Sequence, residues 1–337
     1  MKVTVVIPAY NYAHYLAEAI DTALTQDYAG GIEILVVDDG STDDTPAVLA
    51  AYGDRIRAIR RENGGLNAAT STGIDAATGE LITFLDADDT WPRDRVRVLA
   101  EALAANPQAA LAGGDMEIVD GEGRLLAPSF RAAHGIVPHS GRVFGRLLRN
   151  NFISAGSLML RAGLRGLYCP IREDAPYQDW WMAVQVSRVA EVVAIPHVVN
   201  RYRQHGANMN LGSDARGAAR LAASELRFRR WTLQTAGDLA TPLELLLAVE
   251  ALDDFAARGA AVRRRSLRDA LGIKPEDRGL AVQALDRASA ALDAGDPPAA
   301  FAEIVAAVGH DPLYDQPREL LGMLAPHVVE LPQAVPA

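Results

Sequence analysis

"ELITFLDADDTW", residues 80–91, is the stretch on which the reading of the whole chain turns. Leu81 to Leu85 form a short apolar run of the kind buried inside a sheet. Three carboxylates, Asp86, Asp88 and Asp89, follow within four positions. Like charges this close repel unless something positive stands among them. Asp86 and Asp88, two apart on extended backbone, point the same way. That suits a hard divalent cation, Mg²⁺ or Mn²⁺, which prefers oxygen donors and shares substrate phosphates. A capped turn into the helix opened by Pro92 accounts for one acid, and it leaves the others unexplained. Asp89 and Thr90 are assigned to that turn.

Upstream, apolar runs alternate with helical patterns. "VTVVIPAYN" (3–11), "IEILVVDDGS" (32–41) and "IRAIRR" (56–61) read as strands. "HYLAEAIDTALTQ", "DDTPAVLAAYG" and "GGLNAATSTGIDAAT" between and after them read as helices. Continuous apolar strands separated by helices imply a parallel sheet covered on both faces, with ligands beyond the carboxyl ends of the strands. The polar clusters "PAYN", "DDGSTD", "RENGG" and "DADD" all fall there.

Composition bounds the rest. The chain has 337 residues, 49% apolar and 23% charged, with a net charge of -10. This is a packed protein without the basic footprint of a nucleic-acid binder. Cys169 is the only cysteine, which leaves no intrachain disulfide and no cysteine zinc site. Neither a signal peptide nor a run of spanning length is read, so a cytoplasmic protein is expected. Three regions are expected: 1–110 and 111–215 as halves of one α/β domain, and 216–337 as a helical module. In the middle region "AALAGGDMEIVD", "ISAGSLMLR" and "VVAIPHVVNRYRQHG" read as strands, and "GRVFGRLLRN" and "YQDWWMAVQVSRVA" as helices. Residues 281–312 resemble one tetratricopeptide-like hairpin, read as packing within a helical extension because a single copy needs stacked neighbours.

Beyond the DADD cluster, Asp38 and Asp39 end the second strand, where an acid commonly accepts from a nucleotide's ribose or base. Asp179 stands at a helix start beside Trp180 and Trp181, aromatics that can stack a sugar and desolvate the carboxylate into a better general base. His205 follows the last strand. Taken in order, "VVIPAYNYAHYLAEAIDTALTQ", "EILVVDDGSTDDT", "RENGGLNAATSTGIDAATGELITFLDADD", "YQDWWMAVQV" and "YRQHGANMN" resemble the blocks of the family 2 glycosyltransferases. The resemblance covers roughly residues 1–210 and not the C-terminal helices. It implies a GT-A fold, a Rossmann-like mixed sheet flanked by helices, here with an all-helical C-terminal extension. It also implies inverting sugar transfer from a nucleotide-sugar, UDP-linked first and GDP- or dTDP-linked as alternatives. The acceptor would be a hydroxyl on a glycan, a lipid-linked sugar or another glycoconjugate, as in surface polysaccharide synthesis.

Residue by residue, the resemblance puts Pro8, Tyr10 and Asn11 around the nucleobase and ribose, with Asp39 accepting from the base. Asn63, Asp86 and Ala87 join the nucleotide-sugar site, and Asp88 with His205 would hold Mn²⁺ or Mg²⁺ on the diphosphate. Asp179 matches the base, and Trp180 and Trp181 are placed at the acceptor. Two positions depart from the family pattern. Thr70 and Ser71 stand where relatives carry arginine and asparagine, a loss for which Arg60 and Arg61 are the candidate compensation. Gln178 replaces the acid that usually precedes the base, with Glu173 and Asp174 as fallback carboxylates. "DADDT" also fits the D-x-D-x-T motif of haloacid-dehalogenase-like phosphatases, a poor reading, because the only lysines are Lys2 and Lys274 and three strand–helix units precede the motif. A non-catalytic sugar-nucleotide-binding subunit is the third reading, and the intact acids argue against it. "RFRRW" (227–231) and "RGAAVRRRSLR" (258–268) are read first as arginines that solvate helix faces and pair with the excess acids, with peripheral contact with anionic lipid, at the inner face of a membrane, as the alternative. The C-terminal helices are also a candidate surface for a homo-oligomer.

Overall fold

The computed structural model describes residues 1–206, 215–236, 273–312 and 314–328. It divides into two units, residues 1–142 with 151–213, and residues 143–150 with 214–337. The first unit is built on one mixed eight-stranded sheet. Its N-terminal half follows the expected alternation: β1 (Val3–Ala9), α1 (Ala13–Leu24), β2 (Ile32–Asp38), α2 (Thr45–Ala50), β3 (Arg57–Arg60), α3 (Leu66–Ala76) and β4 (Leu81–Phe84). These four strands are parallel and lie in the order β3-β2-β1-β4. Every residue of β1 and β4 is buried, because helices cover both faces and leave no wet side on which polar residues could alternate. On α1 the buried positions Leu16, Ala19, Ile20 and Ala23 form one helical stripe packed on the sheet. Each large side chain buried this way contributes about 1.5–3 kcal/mol. The chain order reverses at β1, which lies between β2 and β4, so a ligand crevice is expected at the carboxyl ends of these three strands.

Onward run α4 (Arg95–Ala105), β5 (Ala109–Val119), β6 (Leu125–Ala127), α5 (Phe130–Ala133), α6 (Phe144–Arg149), β7 (Leu158–Arg161), α7 (Arg165–Tyr168), α8 (Gln178–Ser187) and β8 (Glu191–Arg203). β7 is antiparallel to both β4 and β5, and β8 runs parallel to β5. Pro196 lacks the N–H that a continuous ladder needs, and the β5–β8 register shifts beside it, between Gly113 and Asp115. "ISAGSLMLR" is a strand only from Leu158. Ala155–Ser157 make a 3₁₀ turn, with Ser154 N donating to Ser157 Oγ at 3.2 Å. That turn releases the Ala155 amide from the sheet for use elsewhere.

The second unit takes α6 out of the region read as one half of the α/β domain. With it go α9 (Ala215–Ala236) and the helices Asp277–Asp293, Pro297–His310 and Asp315–Val328. The first two of these last three make the hairpin expected over 281–312, turning at Gly295 (φ 75°), with Asp296 accepting from Ala299 N at 3.0 Å and Pro297 opening the second helix. A Cβ on Gly309 would lie 2.8 Å from Gln234 N, so glycine is what lets that helix approach α9. The arginines of "RFRRW" differ from expectation. Arg229 and Arg230 are buried, and they donate to the carbonyls of Leu148 and Arg149, and of Gly309 and His310, where helices end with open acceptors. Arg230 also pairs with Asp277 at 2.6 Å. Two guanidiniums read as lipid-facing or solvated therefore hold the unit together. Residues 258–268 lie outside the described residues. Among the described residues no helix is long and apolar enough to cross a membrane.

Candidate active site

The loops after β1 and β2 are tied to each other by Asn11. It adopts φ 58°, a left-handed conformation that asparagine tolerates better than most residues. Its N–H donates to Ser41 Oγ at 3.0 Å and its Oδ1 accepts from Thr42 N at 2.8 Å. Pro8 lies inside β1 opposite Val37, and Tyr10 is 45% exposed at the strand's end. Asp38 accepts from Ser41 N and from Arg60 Nη1, both within 2.8 Å. Asp39 is buried and accepts from Gly65 N at 2.7 Å, Gly64 N at 3.2 Å and Arg61 Nη1 at 3.0 Å. Its carboxylate therefore shapes the glycine turn at the start of α3, with Asn63 exposed beside it. Arg60 and Arg61 are each paired with one of these acids.

The positive groups beside DADD are arginines. Arg95, at the start of α4, is fully buried, with its guanidinium 3.7 Å from the Trp91 ring centre. It donates to Thr83 Oγ1 at 2.6 Å and to the Gly156 carbonyl at 2.8 Å, and its charge opposes the carboxylates of Asp86 and Asp89. Asp86 is nevertheless pushed up to about 7, by burial first and then by Asp88 and Asp179 nearby. Asp89, assigned from sequence to the turn, instead reaches across to β8. It is buried and accepts from Arg203 N at 2.9 Å and Asn200 Nδ2 at 2.7 Å. Arg203 Nε donates to the Asp88 carbonyl at 2.7 Å. Ala87 is buried within this turn.

Asp88 and His205 meet as expected, with Oδ2 and Nε2 3.0 Å apart and both side chains largely enclosed. Tyr12, which the sequence did not single out, hydrogen-bonds Asp88, and burial together with Asp88 and Asp86 raises its phenol above the usual range. Tyr15 packs on His205 with ring centres 5.1 Å apart, so the start of α1 walls the imidazole. An imidazole nitrogen and a carboxylate oxygen converging on one point are a donor set that Mn²⁺ accepts. Among the described residues no third acid, histidine or cysteine completes a protein-only cage. Substrate oxygens and water would fill the other positions, as is usual for Mg²⁺-like sites.

Asp179 begins α8. Its Oδ1 accepts from Trp180 N at 2.5 Å and Asn151 Nδ2 at 3.2 Å, and its Oδ2 from Ala155 N at 3.1 Å. These bonds favour the charged form, yet burial outweighs them and raises the carboxyl to about 6. It opens on a cavity of about 310 Å³. Trp180 and Trp181 are corrected here. They are 2% and 4% exposed, with Trp181 Nε1 donating to the Tyr168 carbonyl, so neither ring has a face to offer an acceptor. Rings at consecutive helix positions beneath a buried strand pair are spent on the core. The cavity's own aromatics include Phe130, His134 and Tyr177. Glu173 and Asp174 are exposed, and Asp174 pairs with Arg172 at 2.8 Å, outside this group. The two departures from the family pattern face each other: Thr70 Oγ1 donates to Gln178 Oε1, both buried.

Comparison with known proteins agrees with this architecture. Residues 4–163 match the model for glycosyl transferase family 2. The succinoglycan biosynthesis protein ExoO of Rhizobium meliloti is 44% identical over 127 residues, 37% of this chain and 36% of that protein. The chain spans two-fifths or less of the length of curated relatives it matches. Among solved structures, TarS 1-349 of S. aureus in complex with UDP-GlcNAc superposes with a TM-score of 0.57 at 17% identity, covering 91% of each chain. The mannosyltransferase PcManGT of Pyrobaculum calidifontis, in complex with GDP-Man and Mn²⁺, gives 0.52 at 22% identity, covering 93% of this chain and 87% of that one. At such identities these likenesses speak to the fold, which is of the GT-A type. The ordered motifs, that fold and the family match together place residues 4–163 of the chain in glycosyl transferase family 2.

Proposed function

We propose that this chain transfers a sugar from a nucleotide-sugar to an acceptor hydroxyl in one inverting displacement. One observation carries the reading: a half-buried carboxyl raised to about 6, Asp179, opens on a cavity and stands near enough to Asp86 for their charges to interact. A base poised near neutrality faces the acid cluster at the carboxyl end of β4. Asp179 takes the proton of the acceptor hydroxyl. The oxygen bonds to the anomeric carbon as the bond to the diphosphate oxygen breaks, and that electron pair leaves with the nucleoside diphosphate. Asn151 and the Ala155 amide hold the carboxylate in place for this step.

The nucleoside is taken at the carboxyl ends of β1 and β2, where Asn11 joins the two loops and Asp39 shapes the turn carrying Asn63. A UDP-sugar is favoured, with GDP- and dTDP-sugars as alternatives; the bound donors of the two structural neighbours include both UDP-GlcNAc and GDP-Man. Asp88 and His205 hold a divalent ion, Mn²⁺ ahead of Mg²⁺ because one donor is an imidazole. Such an ion offsets the charge of the diphosphate leaving group. Synthesis of a polysaccharide or glycoconjugate is the proposed setting, in line with the succinoglycan relative.

The test is turnover of UDP-, GDP- and dTDP-sugars with Mn²⁺, scored separately for nucleoside diphosphate and inorganic phosphate. Diphosphate release that rises with added glycan acceptors and stops with EDTA is expected. Phosphate release, or binding of sugar-nucleotide without turnover against any acceptor, would return the case to the phosphatase or the binding subunit.

A further inference from the structure

The cavity in front of Asp179 carries a chemistry that the family match does not assign. Its volume, about 310 Å³, sits at the low end of the roughly 300–1,000 Å³ typical of small-molecule sites, room for little more than one sugar ring. One wall is α5, which the surrounding residues lock in place. Ser129 Oγ donates to Asp115 Oδ2 at 2.5 Å and accepts from Ala132 N at 3.0 Å, and Arg131 N donates to Asp115 Oδ1 at 3.1 Å. The wall carries Phe130 and His134 with their rings stacked, centres 4.1 Å apart. Tyr202 meets Phe130 edge-on at 5.8 Å, and His134 Nδ1 lies 2.9 Å from the Phe130 carbonyl, so both rings are oriented before anything binds.

The charge of the lining is equally specific. Among the described residues it contains two carboxylates, Asp115 and Asp179, and one guanidinium, Arg131. Arg131 is buried and turned onto backbone, donating to the Ile195 carbonyl at 2.8 Å and the Gly113 carbonyl at 3.3 Å. An anionic occupant would meet two acids and a guanidinium already engaged. A neutral ring with an apolar C–H face and hydroxyl edges matches the rest.

Resting on the transferase reading, we propose that this cavity takes the acceptor, and that its reacting unit is a neutral pyranose packed on Phe130 and His134 with one hydroxyl at Asp179. Uronate, sialate and polyol-phosphate acceptors are thereby disfavoured. Phe130 and His134 are specificity residues for the acceptor and take no part in binding the nucleotide.

The test is saturation-transfer NMR on the full chain with UDP and Mn²⁺, using methyl glucoside, galactoside and mannoside against glucuronate and glycerol 3-phosphate. The expected result is saturation of ring C–H protons in at least one neutral glycoside and none in the acidic probes. Phe130→Ala should weaken the glycoside about tenfold, and His134→Ala severalfold, with UDP affinity and Tm unchanged. The exposed His134 keeps the test open should Phe130→Ala misfold. Equal or tighter binding of an acidic probe would overturn the proposal. So would no neutral glycoside binding at tens of millimolar, or glycoside affinity indifferent to both variants. Wild-type protein that binds a glycoside but no UDP would remove the transferase reading and leave the cavity's chemistry standing.

Discussion

Replacing Asp179 by asparagine removes a charge that the fold holds in an unfavourable place. Its carboxyl lies at about 6 against an ordinary 3.8. The folded protein therefore keeps a proton over the window between about 4 and 6 that the unfolded chain has already released. Stability contributed by this group is fully present below about 4 and is lost as the pH rises through about 6. Two pH units at about 1.4 kcal/mol each give about 3 kcal/mol lost by pH 8. Asparagine cannot titrate, so that slope disappears with it. The amide keeps the bond from Trp180 N through its carbonyl oxygen. It turns an N–H toward the Ala155 amide, a mismatch costing about 1–3 kcal/mol. Asp179→Asn should therefore be less stable than wild type at pH 4.5, where about 1 kcal/mol of this term is already lost, with the gap closing by about a further 2 kcal/mol or reversing at pH 8. Loss of the Asp179 charge also relieves Asp86, whose own carboxyl falls below about 7. Urea titrations of both proteins at half-unit pH steps read this directly. In parallel, wild-type kcat should drop about tenfold per pH unit below 6, and the variant should lose at least a hundredfold at pH 8 while still binding UDP. A stability gap that stays constant from pH 4.5 to 8 would refute the reasoning, because burial would then not be holding the base in reserve.

Other substitutions probe the supports. Arg95→Met leaves Asp86 and Asp89 without their buried cation and should cost about 3–5 kcal/mol by thermal melting, and Arg95→Lys should recover little because one ammonium cannot replace the planar fork. Thr70→Arg and Gln178→Glu, each singly, bury a charge where a neutral hydrogen bond now sits, whereas the double variant should restore at least about 1 kcal/mol of the summed loss in a melting cycle. Asp88→Ala and His205→Ala should each weaken Mn²⁺-dependent UDP binding at least tenfold by calorimetry, with little effect on binding measured in EDTA. Arg230→Met removes the cation paired with Asp277, whose carboxylate keeps the Lys274 N–H, and a donor to the Gly309 and His310 carbonyls, and should speed proteolysis of the helices from Asp277 onward with the first unit intact.

The strand–helix alternation was legible because β1, β2 and β4 are buried on both faces, and continuous apolar runs announce that. The acids were legible because short chain separations put them at strand ends. What escaped depends on partners far away in sequence. Arg95 sits in "PRDRVRVL" among arginines that look alike, and its burial depends on carbonyls of residues 156 and 158. A signal was there: Arg95, Leu99 and Leu103 are spaced four apart, which puts the arginine on the apolar stripe of α4. Asp89 looked like a turn residue because its partners Asn200 and Arg203 are more than a hundred positions later. Trp180 and Trp181 were read by chemical type, and type does not say which way a ring on a buried helix turns. Tyr12 carried no local pattern at all.

The crowding in DADD can now be resolved by distribution. Asp89 spends both oxygens on β8, through an amide and a backbone N–H, and so fixes the strand that brings His205 into place. Asp86 stands opposite Arg95 and is still held up to about 7, so near neutrality it alternates between charged and neutral forms. Asp88 hydrogen-bonds Tyr12 and meets His205, groups that orient its carboxylate. One acid thus builds the wall, one stands opposite the buried guanidinium, and one is oriented by a phenol and an imidazole. On the proposed transferase reading, the cluster's repulsion stands where a bound cation would relieve it, so binding of the donor with its metal should raise the stability of the folded state.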